Sequence, residues 1–320
     1  MEATNNTSFI RTKKFLSCIL LALIYSWTPI LTLAQMKKAE ANTAIQVVSD
    51  EAYQYIIQFY AYDSNLPLDV KNISKEDYQG GSKEKIVFSG VNYSRVPAYL
   101  ISPKNGGGPH PVVLIIDGGL GSKERWVQDD NWPKGGLITK ALLAKGFAVM
   151  ICDAAYHGER SYENEFASFP WPNQYPYSFR QIAIQTAFDY RRAIDYLFTR
   201  SDIDTTRIGM LGLSLGGLVT FELSSIDSRI KSAVAGLTPI FKEKEFQTIS
   251  PTTFASRINN KSFLMFMGNK DGWYTMKEAR QLYDMIPIKN KEFVEYNTGH
   301  EVTIEYVALV TDWFVKNLKP

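Results

Sequence analysis

Cysteine is scarce in this sequence, which contains only Cys18 and Cys152 among its 320 residues. Cys18 lies near the start of an apolar N-terminal stretch, and Cys152 lies in the apolar run GFAVMICD. Two cysteines cannot build the set of disulfides that staples small secreted domains, and they cannot supply a cysteine-based metal site. The fold must therefore be held together by its hydrophobic core.

A strong excess of charge of either sign is also absent. The 35 lysines and arginines nearly balance the 33 aspartates and glutamates, which leaves a net charge of +2. This composition lacks the basic footprint expected of a protein that binds nucleic acid. With 45% hydrophobic and 21% charged residues, the chain is neither disordered nor collagen-like. The composition indicates an ordinary globular protein.

The first 34 residues have the pattern of a signal peptide. Three basic residues precede an apolar stretch over 15–33, and Thr32 and Ala34 are small residues suited to a signal peptidase site. We therefore expect cleavage after Ala34 and export to the periplasm or the cell exterior. An uncleaved membrane anchor is the alternative, although a proline and two aromatic residues interrupt the stretch. Residues 35–320 are predicted to form a single domain with no further membrane contact.

Most of that domain alternates between short apolar runs and helix-length segments. The runs are apolar throughout, as expected for strands that helices cover on both faces of a sheet. Before them, an extension over about 35–80 carries a helix, and two β-rich runs within 84–103 predict an antiparallel pair at the sheet edge. The sequence therefore predicts an α/β fold with a mostly parallel, twisted sheet. The predicted parallel strands are PVVLIID (111–117), GFAVMICD (146–153), RIGMLG (207–212), IKSAVAGL (230–237), SFLMFMG (262–268) and KEFVEYN (291–297).

An aromatic segment over about 154–179 does not fit this alternation. A loop of this length in a compact domain is usually functional or disordered, and its many aromatic residues argue against disorder. We predict that it forms a short cap over a site at the carboxyl end of the sheet. The alternative is a packed loop that only covers the sheet edge. The candidates for a cap wall are Tyr162, Phe166, Phe169, Trp171, Tyr175 and Tyr177. As substrate-binding residues we select Tyr156, Trp171, Tyr177 and, outside the segment, Trp273.

The stretch IGMLGLSLGG places Ser214 between Gly212 and Gly216, after a predicted strand and before a predicted helix. In this context G-x-S-x-G predicts a strained turn that exposes a nucleophilic serine at a helix N-terminus. There, backbone N–H groups favour developing negative charge. A simple packing turn with an incidental serine is the alternative. The pattern around the motif favours the nucleophile.

A serine nucleophile needs a base and an acid that orients it. The chain has three histidines, and only His300 follows the serine, as the hydrolase order Ser, Asp or Glu, His requires. His110 precedes a strand, and His157 is predicted to brace its loop. The acid should follow a strand between serine and histidine. Asp271 does so in MGNKDGWY, whereas the alternatives Glu243 and Glu245 lie in a charge-rich segment typical of a solvated surface.

An oxyanion site needs two backbone donors. The N–H of Leu215, directly after the nucleophile, is the first candidate. The second should come from the loop DGGLGS after the first parallel strand, where we select Gly119 and keep Leu120 as the alternative.

Taken together, these motifs resemble the α/β-hydrolase family from about Lys85 to Lys316. The likeness is greatest to its compact branch of dienelactone hydrolase-like, acetyl xylan esterase-like and prolyl oligopeptidase-like catalytic domains. The sequence departs from the family at Asp117 and Gly118, where many members have His-Gly. The matching pieces are GVNYSRVPAYLISP, LIIDGGLGS, DAAYHGERS, IDTTRIGMLGLSLGG, MGNKDGWY and NTGHE.

The resemblance implies a serine hydrolase that needs no cofactor and no metal. We expect an exported carboxylic ester hydrolase whose partner is a small-molecule ester. One alternative is a peptidase or amidase that uses the same three residues. The other is a pseudoenzyme that binds a ligand in the former active-site pocket.

Overall fold

The computed structural model describes residues 45–92, 94–104, 107–163 and 169–319. The predicted signal peptide and Phe166 lie outside these ranges. Within them, a nine-stranded sheet has the order β1-β2-β3-β5-β4-β6-β7-β8-β9. The strands are β1 Lys71–Tyr78, β2 Gly81–Ser89, β3 Arg95–Pro103, β4 His110–Ile116, β5 Ala148–Cys152, β6 Ile203–Leu213, β7 Ile230–Gly236, β8 Ser262–Gly268 and β9 Lys291–Tyr296.

The sheet is mostly parallel, which confirms the predicted fold class. From β5 through β4 to β9, neighbouring strands pair in parallel, whereas the pairs β1–β2, β2–β3 and β3–β5 are antiparallel. The six apolar runs became β4 to β9, and the β-rich pair became β2 and β3. Strand β1 was missed because its sequence, KNISKEDY, is polar and almost fully exposed. Its pairing with β2, rather than an apolar pattern, holds it in the sheet.

Helices cover both faces of the sheet, and two hydrophobic clusters lie between them and the strands. Alternate residues of β4 show the division: Val112 and Leu114 belong to one cluster, and Val113 and Ile115 belong to the other. This is why central strands such as β4, β5 and β8 are buried along almost their whole length. No helix within the described ranges is long and apolar enough to cross a membrane. The helices are α1 Asp50–Gln58, α2 Gly135–Ala144, α3 Pro176–Leu197, α4 Leu215–Ile226, α5 Pro251–Phe254, α6 Met276–Met285 and α7 Tyr306–Leu318.

The carboxyl group of Glu222 on α4 is fully buried beside the Tyr60 hydroxyl, which donates a hydrogen bond to the Thr248 carbonyl at 2.7 Å. Burial raises the pKa of Glu222 well above its usual value, because a charged carboxylate is poorly stabilised away from water. The folded protein therefore keeps the proton of Glu222 at pH values where the unfolded chain releases it.

This difference predicts a loss of stability as the pH rises above about 4.5, the usual pKa of a glutamate. The loss amounts to about 1.4 kcal/mol for each pH unit over which only the folded state keeps the proton. We expect Glu222→Gln to remove this contribution, so that its stability relative to the parent protein is greater at pH 8 than at pH 5. Urea unfolding at both pH values measures the change. Exposed Glu245→Gln is the control and should not alter the pH dependence.

Candidate active site

Ser214 lies on a tight turn between β6 and α4. Its backbone has φ 54° and ψ −113°, a conformation that side-chain-bearing residues seldom adopt. The Ser214 N–H donates to the Gly236 carbonyl of β7 at 2.9 Å, and its carbonyl accepts from Leu218 of α4 at 3.1 Å. Strand and helix therefore fix the turn from both sides.

The flanking glycines are required because the backbone is crowded on both sides of the serine. A Cβ atom at Gly212 would lie 2.0 Å from the Gly216 carbonyl oxygen. A Cβ atom at Gly216 would lie 2.1 Å from the carbonyl oxygen of Ile116, at the end of β4. The turn thus packs directly against the neighbouring strand, and only glycine leaves room for that contact.

The structure brings Ser214, His300 and Asp271 together. His300 Nε2 lies 2.9 Å from Ser214 Oγ, and His300 Nδ1 lies 2.7 Å from Asp271 Oδ2. The second carboxylate oxygen of Asp271 accepts the N–H of Trp273 at 3.0 Å. Asp271 follows β8 and His300 follows β9, so adjacent parallel strands deliver both side chains to one edge of the sheet. The alternative acids Glu243 and Glu245 are exposed after β7.

Trp132, which the sequence analysis did not select, positions His300. The two rings stack with centroids 5.8 Å apart and planes 22° apart, and the indole N–H donates to the His300 carbonyl at 2.9 Å. Trp132 also packs against Gly118, where a Cβ atom would lie 3.1 Å from its ring. It therefore contacts both the histidine loop and the loop after β4. The sole hint in the sequence is a tryptophan within the polar segment SKERWVQDDNWPK.

The loop after β4 presents the candidate oxyanion donors. Gly119 and Leu215 line one cavity together with Ser214, and neither N–H donates a hydrogen bond to another described residue. Leu120, the alternative to Gly119, lines the same cavity. The structure therefore places Leu215 and both candidates for the second donor, Gly119 and Leu120, on the same cavity as the serine.

Asp117, at the start of this loop, occupies the position where the family resemblance leads one to expect histidine. Its side chain is buried, and its Oδ1 accepts the Gly118 N–H at 2.7 Å. Burial raises the pKa of Asp117 to about 6, and the positive charge of Arg125 opposes the rise. Asp117 thus stabilises the conformation of this loop by accepting the Gly118 N–H.

A buried ion pair joins this loop to the loop after β5. Lys123 is inaccessible to solvent, and its ammonium lies 2.7 Å from Asp153 Oδ2, while its backbone N–H donates to Asp153 Oδ1 at 2.9 Å. Glu159 also contacts the Lys123 ammonium and donates its N–H to Asp153. Removing the Lys123 charge would leave the Asp153 carboxylate buried without a cation, so these contacts favour one arrangement of the two loops.

The cavity beside the serine has a volume of about 310 Å³ and mostly aromatic walls. Of the predicted substrate-binding residues, Trp171 and Trp273 line it, whereas Tyr156 and Tyr177 do not. Tyr156 packs against the core, and Tyr177 is 65% exposed at the start of α3. The aromatic segment also contributes Phe169, Pro172 and Phe179, so it supplies a wall of the cavity. Further lining residues, which the sequence analysis did not select, are Arg125, Trp132, Pro239 and Phe241.

His157 is held away from the cavity surface. Its Nδ1 lies 2.7 Å from the Ala155 carbonyl, and its ring contacts the edge of Phe169 at 5.5 Å. Burial lowers the pKa of His157, which favours the neutral ring. In the part of the chain that the structure describes, no three His, Cys, Asp or Glu side chains are grouped as metal ligands.

The fold and this arrangement define an α/β hydrolase. The structure superposes on acetyl xylan esterase 1 from Thermoanaerobacterium sp. JW/SL YS485 with a TM-score of 0.68 and 17% identity, over 89% of this chain and 98% of the other. Acetyl xylan esterase from Paenibacillus sp. R4 gives a TM-score of 0.65 and 18% identity, over 86% and 96% of the two chains. At 17% and 18% identity, these structural similarities establish the fold alone.

The family follows from the sequence match. The model of the family described as acetyl xylan esterase matches residues 71–242, more than half of the chain. The chain belongs to the acetyl xylan esterase family, which confirms the predicted resemblance. YtaP of Bacillus subtilis (strain 168), a protein named as a hydrolase, is 26% identical over 172 residues. The match covers 52% of this chain and 56% of YtaP, so the chain spans about half the length of this curated relative.

The close packing of the serine turn predicts that adding one methyl group at Gly216 destabilises the protein. Gly216→Ala would place a Cβ atom 2.1 Å from a backbone oxygen that cannot rotate away. We expect a loss of about 3 kcal/mol in the free energy of unfolding, near the upper end of the usual range for overpacking. Gly272→Ala is the matched control, because a Cβ atom there has no neighbour within 4 Å. Equal unfolding free energies for the two variants would contradict this account of the turn.

Proposed function

We propose that this protein is a serine hydrolase that cleaves carboxylic esters. The observation that carries the proposal is the placement of His300 between Ser214 and Asp271, with hydrogen-bonding distances of 2.9 and 2.7 Å. His300 takes the serine proton as Oγ attacks the ester carbonyl, and then gives it to the departing alcohol. Asp271 holds the ring in the required orientation and stabilises its protonated form.

Water then hydrolyses the resulting acyl-enzyme and releases the acyl group as a carboxylic acid. His300 then acts as a base toward the water and returns the proton to Ser214. The negative charge that forms on the carbonyl oxygen in both steps is stabilised by the N–H groups of Leu215 and Gly119. Both lie on the cavity without acceptors among the described residues. No step of this sequence requires a cofactor.

Membership in the acetyl xylan esterase family favours an ester over an amide as the bond that is cleaved. The aromatic walls of the cavity, among them Trp171 and Trp273, suit an apolar acyl group or the face of a sugar ring. We infer that the substrate is a small-molecule ester, with esters of carbohydrates as the class that the family suggests.

The proposal predicts that a fluorophosphonate labels Ser214 and that a 4-nitrophenyl ester is cleaved much faster than the matching nitroanilide. Ser214→Ala should abolish labelling and lower ester turnover by about 10⁶-fold, and Asp271→Asn should lower turnover by about 10⁴-fold. Exposed Ser228→Ala and Glu243→Gln are the controls and should retain activity. A faster reaction with the amide would indicate a peptidase or amidase. A folded protein that neither labels nor turns over esters would indicate a ligand-binding pseudoenzyme.

We also propose that the protein is exported, on the strength of its N-terminal sequence. The basic residues, the apolar stretch over 15–33 and the small residues Thr32 and Ala34 support this proposal. Intact mass of the protein recovered outside the cytoplasm is expected to correspond to a chain that begins at Gln35. Recovery of the full-length chain in the membrane fraction would favour the anchor instead.

A further inference from the structure

Arg125 brings a positively charged side chain to the wall of the candidate active-site cavity. Among the described residues that line the cavity, only Arg125 and His300 have cationic or protonatable side chains, and none has a carboxylate. The other lining side chains are aromatic or aliphatic, apart from Ser214 itself. Activation of the serine does not require this guanidinium, and its charged partner among the described residues is Asp117.

The protein holds this guanidinium in place from two sides. Arg125 lies on the short 3₁₀ helix Lys123–Val127, and its Nε is 3.5 Å from Asp117 Oδ2. Its guanidinium carbon lies 5.4 Å from the ring centre of Trp132. Because Trp132 also stacks on His300, the position of Arg125 is tied to that of the base. A planar cation packed on an indole loses little freedom when it forms further bonds.

The donors of Arg125 remain largely unused. Within the described ranges its one polar side-chain contact is the ion pair from Nε, and its Nη1 and Nη2 groups donate no hydrogen bond. The side chain is only 21% exposed, so bulk water reaches it poorly. Asp117 is buried and does not line the cavity, and its ion-pair contact with Arg125 is to Nε. Two donors in a fork match the two oxygens of a carboxylate.

We infer that Arg125 binds a carboxylate of the substrate, so that the site prefers esters whose acyl or alcohol part carries a carboxylate over neutral esters of the same shape. The inference rests on the proposed function, because the ester must lie beside Ser214. The inference narrows the proposed substrate class to esters with an acidic group. The aromatic walls of the cavity would contact the apolar part or the sugar ring of such an ester, and Arg125 would bind its carboxylate.

Two pairs of esters test this preference. Mono-4-nitrophenyl adipate and 4-nitrophenyl hexanoate differ by a carboxylate on the acyl side, and 3-acetoxybenzoate and phenyl acetate differ by one on the alcohol side. We expect kcat/KM to favour the carboxylate member of at least one pair. Arg125→Gln should lower that ratio by about 10- to 100-fold, as for a lost hydrogen bond to a charged group. Arg125→Lys should give an intermediate ratio, and added salt should weaken the preference.

Arg180→Gln is the matched control, because Arg180 packs on Tyr177 but does not line the cavity. Its ratios should equal those of the parent protein. Thermal unfolding of each variant checks that it is folded. If Arg125→Gln does not fold, competitive inhibition of the parent enzyme by benzoate, compared with benzamide, measures the same selectivity.

The inference is overturned if the parent enzyme prefers the neutral ester in both pairs, or if Arg125→Gln lowers both members of a pair equally. Benzoate that inhibits no better than benzamide would likewise overturn it. In each of these cases neutral esters are still hydrolysed, and the proposed function stands. Failure of the parent enzyme to hydrolyse any of the four esters would instead count against the proposed function.

Discussion

The contact between the serine turn and the end of β4 is the constraint on which the site depends. Gly216 lies against the Ile116 carbonyl so closely that no side chain fits between them. This contact fixes how far α4 stands from the sheet and where Ser214 Oγ emerges. The loop after β4, with Gly119, begins at the same point. One close approach of two backbones therefore sets both the nucleophile and the neighbouring oxyanion candidates.

The other residues of the candidate site lie in loops that follow other strands of the sheet. Asp271 and His300 come from the loops after β8 and β9, and each is fixed by a hydrogen bond to its own surroundings. The loop after β5 is joined to the loop after β4 by the buried pair of Lys123 and Asp153. Charges are thus buried around the cavity, where they position loops, while the cavity wall itself is mainly aromatic. Among the described residues of that wall, Arg125 carries the guanidinium that we propose binds a substrate carboxylate.

Trp132 contacts both the proposed base, His300, and the proposed substrate-binding residue, Arg125, which are far apart in the sequence. It stacks on His300, packs against Gly118 and supports the guanidinium of Arg125. A ring with these contacts fixes the base relative to the loop after β4 and relative to the cationic group. Orientation of the proposed base and recognition of the proposed substrate therefore share one side chain, because Trp132 lies in the same segment as Arg125, between β4 and α2, and stacks on His300.

Local sequence patterns predicted the parallel strands, the fold class and the three residues that meet at the candidate site. Apolar runs, the glycine-flanked serine and the order of Ser214, Asp271 and His300 are local patterns, set by burial, by turn sterics and by position along the chain. Tertiary structure alone placed Trp132 and Arg125 on the cavity, left Tyr156 and Tyr177 off it, and added β1 to the sheet. These features depend on which side chains converge from distant loops and on pairing with a neighbouring strand. No periodicity or spacing in the sequence predicts which side chains converge, because separate loops meet at one edge only when the sheet has folded.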